Sequence, residues 1–72
     1  MPGVFPRKAY RGSPEALTIR LTRLKAELSR EEAAKLAGVS FTAWSRYESG
    51  ARRMPFKYWQ AFLEAAQVKP VK

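Results

Sequence analysis

Apolar residues recur along this chain at helical spacing and nowhere alternate as strands do. Leu17, Leu21, Leu24 and Leu28 stand at i, i+4, i+7 and i+11, which makes one apolar stripe. Ser13-Pro14-Glu15 precedes it with the signals of a helix start: serine as N-cap, proline in the first turn, and an acid at the positive end of the dipole. The spacing predicts a first helix over about 14–26. Ser29-Arg30-Glu31-Glu32 is a capping box, so a second helix starts at once. It runs to about Ala37 and stops at Gly38, a residue type that tolerates a left-handed turn. Ser40 then caps a third helix, which reaches Glu48 or Ser49 before Gly50.

Pro55 opens a fourth helix with two apolar stripes, Phe56, Trp59, Leu63 and Ala66 on one and Tyr58, Phe62 and Ala65 on the other. That is more apolar surface than an end helix needs for a core. The fold class expected is all-α: a compact four-helix domain over residues 13–68. Residues 1–12 form a basic arm rich in proline and glycine, and residues 69–72 a basic tail.

The third helix is the informative one. At 100° per residue Trp44 and Tyr47 fall on one side, while Thr42, Ser45, Arg46 and Ser49 fall on the other. Its outward face is three hydroxyls and one arginine, a row of donors and acceptors with nothing apolar to bury. The second helix is almost all alanine inside (Ala33, Ala34, Ala37), as two helices crossing steeply at a short turn require. A three-residue turn between two such helices is the layout of a helix-turn-helix, in which the second helix enters a DNA major groove.

Composition changes the picture in two ways. The 72 residues carry fourteen Lys and Arg against six acids, a net charge of +8, which favours polyanionic partners. There is no cysteine and no histidine, so disulfides, thiolate metal sites and the usual general base or nucleophile pairs are missing. No enzyme activity, cofactor, metal or small-molecule effector is expected. The apolar runs are too short for a membrane span, and the first residues lack the continuous apolar stretch of a signal peptide. The chain reads as soluble and cytoplasmic, in the company of the nucleoid.

The run "LSREEAAKLAGVSFTAWSRYESG", Leu28 to Gly50, resembles the lambda-repressor and Cro-like, or XRE-like, helix-turn-helix regulators. The likeness lies in Leu28-Ser29, the following acids, Ala34, Gly38-Val39-Ser40, Ser45, an aromatic, Glu48 and Gly50. Trp44 stands where Ile or Val is usual, and small Ala33 and Ala37 nearby offset its volume. Glu27 replaces the usual glycine between the first two helices, which predicts a differently shaped turn. "YESGARRMP" with the later "W" and "FLE" is similar, on fewer residues, to small phage and mobile-element regulators of the anti-CRISPR-associated type.

The resemblance implies a sequence-specific regulator of transcription, a repressor, that binds double-stranded DNA at an inverted-repeat operator as a homodimer. Arg46 is the first choice for base readout, since a guanidinium can donate twice to guanine O6 and N7. Thr42, Ser45 and Phe41 join it as base contacts; Phe41 is equally suited to packing back on the second helix. Arg30, Ser40, Ser49, Arg52, Arg53 and Lys57 are the candidate phosphate contacts. Tyr58, Phe62 and Ala65 are the candidate dimer interface. The resemblance also implies an ion pair of Glu48 with Arg23, with a structural role only. Three rival readings are weaker. An antitoxin would use the same fold and bind a toxin as well; an RNA binder would show exposed stacking aromatics. A membrane-surface helix would need a broad apolar face opposite basic residues.

Overall fold

The computed structural model describes residues 12–71; residues 1–11, which hold nearly all of the expected basic arm, and Lys72 lie outside it. Four helices follow in order: α1 Ala16–Lys25, α2 Arg30–Ala37, α3 Phe41–Ser49 and α4 Phe56–Ala66. Every regular element among the described residues is helical. α2 packs on both α3 and α4, and α1 packs on α3.

The helix pair forms as its sequence dictates. Ser29 Oγ accepts from the Glu32 N–H at 3.1 Å, and Glu32 Oε1 accepts from the Ser29 N–H at 2.9 Å, closing the capping box. The backbone N–H of Ser29, and after it the Ser29 hydroxyl, lower the Glu32 pKa. A lowered folded-state pKa means this contribution is complete above the ordinary carboxylate range and is lost as pH falls through the folded value. α2 ends at Gly38 with φ +78°, and the N–H groups of Gly38 and Val39 return to Lys35 O and Ala34 O. Ser40 then accepts from the Ala43 N–H at 3.1 Å and starts α3.

α1 departs from expectation twice. It starts at Ala16 with Glu15 as N-cap and without a side-chain capping bond, so Ser13 and Pro14 precede it. Its leucine stripe also points the wrong way for a core helix: Leu17, Leu21 and Leu24 are 62, 37 and 50 % exposed. The face turned inward is Ile19, Thr22 and Arg23. The polar pair is there because both members are bonded. Arg23 is tied to Glu48, and Thr22 Oγ1 accepts from the Val71 N–H at 3.0 Å. That last bond fastens residue 71, within the expected basic tail, to α1.

The core gathers Ile19, Ala33, Ala34, Ala37, Trp44, Tyr47, Met54, Trp59 and Phe62. Trp44 is fully buried in the same cluster as Ala33 and Ala37, whose small side chains leave volume for the indole. Phe62 corrects the expected dimer interface. It is 0 % exposed, with ring centroids 4.9 Å from Trp44 and 5.8 Å from Trp59. Of the three residues placed at that interface, only Tyr58 and Ala65 reach the surface.

Glu27 settles the turn between α1 and α2. Its φ is +58°, the left-handed conformation that a glycine would take, so the turn keeps the glycine shape with a side chain on it. That conformation costs a non-glycine residue roughly 1–2 kcal/mol. Glu27→Gly is therefore expected to stabilise the fold, by about 0.5–1 kcal/mol after the entropy glycine loses on folding. A thermal melt by circular dichroism checks this; a lower midpoint would contradict it.

Candidate nucleic-acid interface

α3 is held at both ends by local bonds and along its inner side by Trp44 and Tyr47, which leaves its outer side open. A groove of about 560 Å³ runs along that side, lined by Arg20, Arg30, Phe41, Thr42, Ser45, Arg46, Glu48 and Ser49. Four of these were expected as base contacts, Phe41, Thr42, Ser45 and Arg46, and they come from two adjoining turns of one helix. Phe41 is 47 % exposed and lines the groove. Arg30 enters from the first residue of α2 and Arg20 from α1, so three helices contribute cations to one concave face.

Glu48 organises this face from below. Its Oε2 accepts hydrogen bonds from Arg23 Nε and Trp44 Nε1, and its Oε1 accepts one from Arg23 Nη2 at 3.3 Å. Arg23 is completed by donating Nη1–H to Leu28 O at 2.8 Å. The same carboxylate lies 3.6 Å from Arg30 Nε, while the Arg30 side chain stays half exposed. One buried acid thus locks α1 to α3 and steers a surface arginine toward the groove. The pairing with Arg23 agrees with what the resemblance implied; the hold on Arg30 is new.

Two of the expected hydroxyls are enclosed or engaged within the protein. Ser45 lines the groove, but its Oγ is sealed from solvent and has no hydrogen-bond partner, so it does not reach a base as it stands. Ser49 Oγ donates to Arg46 O at 3.1 Å and accepts from the Ala51 N–H at 3.3 Å. Its one proton closes the helix end and is not free for a phosphate. Ser40 differs: its oxygen accepts from Ala43 while its own proton is still available to an anion.

The basic loop stands apart from the groove. Arg52 and Arg53 line a second cavity of about 440 Å³, with Ser13, Pro14, Tyr47 and Met54 among its walls. Lys57 sits on α4 with Nζ 4.9 Å from the centroid of the Tyr58 ring. None of these three lines the α3 groove.

Arg20 is the groove cation that the sequence reading missed. A signal was present. Once Arg23 is tied to Glu48, Arg20 lies one turn earlier on the same helix edge and must also border α3. Among the described residues no helix is long and apolar enough to cross a membrane. No curated protein matches the chain. The family model described as "helix-turn-helix domain" matches residues 16–72, all four helices and the C-terminal segment, and the chain belongs to that family.

Proposed function

We propose that this protein is a sequence-specific double-stranded-DNA-binding regulator of transcription, and that it represses by occupying a promoter. The observation that carries the reading is the groove: Thr42 and Arg46 on α3 share one concave face with Arg30 of α2 and Arg20 of α1. A helix bearing a bidentate donor and flanked by cations from other elements matches what a duplex offers, base edges between two rows of phosphates. Arg46 reads guanine, with Thr42 and Phe41 beside it; Arg20, Arg30 and Ser40 hold phosphates. Arg52, Arg53 and Lys57 add positive charge outside the groove. The likeness to lambda-repressor and Cro-like regulators supports the repressor role, and the narrower likeness to anti-CRISPR-associated regulators points to a phage or mobile-element operon.

A second copy is part of this proposal, because one recognition helix reads too few base pairs to define a site. With Phe62 inside the core, the surface that its stripe of α4 still offers a second copy is Tyr58 and Ala65. Two-fold symmetry then requires inverted half-sites about one helical turn, or a multiple of 10–10.5 bp, apart.

Substitutions in the groove test the reading. Arg46→Ala is expected to cost roughly 1–3 kcal/mol at a preferred sequence and little on random duplex. Arg20→Ala and Arg30→Ala are expected to weaken both alike and each to reduce the salt slope by about 1. Fluorescence anisotropy over a salt series distinguishes the two patterns. Equal loss on preferred and random DNA for Arg46→Ala would remove direct readout from the account.

A further inference from the structure

The outward leucines of α1 are used neither by the core nor by the groove. Leu17, Leu21 and Leu24 fall within about 60° of one another around the helix, directly opposite the buried Ile19, Thr22 and Arg23. Their spacing, four residues and then three, is the a/d seam that one helix presents to another. The positions that flank such a seam choose its partner. Here they hold Arg20 on one edge and Lys25 on the other, and α1 contains no acid.

We infer that this seam docks an amphipathic helix of a different, acidic protein, with an apolar stripe between rows of Asp or Glu. A second copy of this chain fits poorly. Parallel pairing of two α1 helices sets Arg20 against Lys25, and antiparallel pairing sets each cation against its own kind. Residues 1–11 carry Arg7, Lys8 and Arg11 and no acid, so they do not supply the carboxylates that the flanking cations call for. A membrane surface calls for a broad apolar face along the helix, which three leucines within about 60° do not supply. Three leucines also cover far less than the ~800 Å² per partner of a standard interface. The docked helix therefore extends over both flanking cations, and its carboxylates are what make the contact specific. The inference does not depend on the reading of the α3 groove.

The test uses the full chain and two synthetic helical peptides. Both carry leucine at a and d; one has glutamate at e and g, the other lysine. The expected result is binding to the glutamate peptide at least ten-fold tighter than to the lysine peptide. Leu17→Ser with Leu24→Ser abolishes it while the chain still melts cooperatively, since both side chains are half or more exposed and lie outside the core. Arg20→Glu with Lys25→Glu reverses the preference between the peptides. Equal binding of the two peptides, or binding indifferent to the leucine substitutions, would overturn the inference. So would sedimentation showing that the seam is covered by a second copy, or leucine-dependent binding to anionic phosphatidylserine vesicles with none to either peptide.

Discussion

Phe62→Asp is expected to leave a chain with no cooperative thermal transition at neutral pH. The ring is fully buried between Trp44 and Trp59, so removing it alone should cost about 3–5 kcal/mol. The carboxylate that replaces it would be buried against the indoles of Trp44 and Trp59, which adds several kcal/mol. A domain of this length has roughly 4–11 kcal/mol of stability in all, at 0.05–0.15 kcal/mol per residue. The two costs together exhaust that. Circular dichroism and a denaturant titration measure the outcome. A folded monomer that has merely lost self-association would instead mean that Phe62 is a surface residue, as its place on a second apolar stripe of α4 implied. Phe62→Leu, which keeps an apolar side chain, should melt cooperatively at a lower midpoint.

Glu48→Ala carries the other large effect. The carboxylate binds Arg23 through two nitrogens and Trp44 through one, and its side chain is 4 % exposed. Removing it strands a guanidinium that is itself buried and keeps only the Leu28 carbonyl. Breaking one side of a buried pair costs about 3–5 kcal/mol. For a domain this small, 1 kcal/mol moves the midpoint by roughly 4–8 °C, so a fall of well over 10 °C is expected. Glu48→Gln keeps the shape and one acceptor and should fall in between. The substitution also releases Arg30, so any DNA binding by the remaining folded fraction should weaken for all sequences alike. A midpoint within a few degrees of the parent chain would show that the network contributes little.

The helix pair was legible from sequence because local chemistry determines it. A serine three residues before a glutamate, a glycine with free φ and a second serine cap mark where α2 starts, where it turns and where α3 begins. The orientation of α1 was not legible, since periodicity locates a stripe without saying which side of the helix meets the core. Thr22 and Arg23 face inward because their partners, Val71 and Glu48, lie 49 and 25 residues away. α4 posed the same difficulty in another form. Its two stripes lie side by side, and only the packing of Trp44 and Trp59 selects Phe62 for the interior.

The site divides along the same line. Helical angles put Thr42, Ser45, Arg46 and Ser49 on one face, and all four line one groove. Angles place residues, though, and not hydroxyl groups. The Ser45 oxygen is sealed from solvent and the Ser49 proton is spent on the helix end, which no periodicity discloses. Arg30 and Arg20 join the groove through tertiary packing, so their roles follow from Glu48 and from the α1–α3 contact rather than from any local motif.

The most direct test of the central claim is selection from a pool of random duplex DNA, carried out in parallel with the full chain and with Arg46→Ala. The account predicts that the parent chain enriches a defined motif containing guanine, and that Arg46→Ala binds the pool but no longer selects that guanine. Recovery of the same motif by both proteins, or no enrichment by the parent chain at any salt concentration, would contradict it.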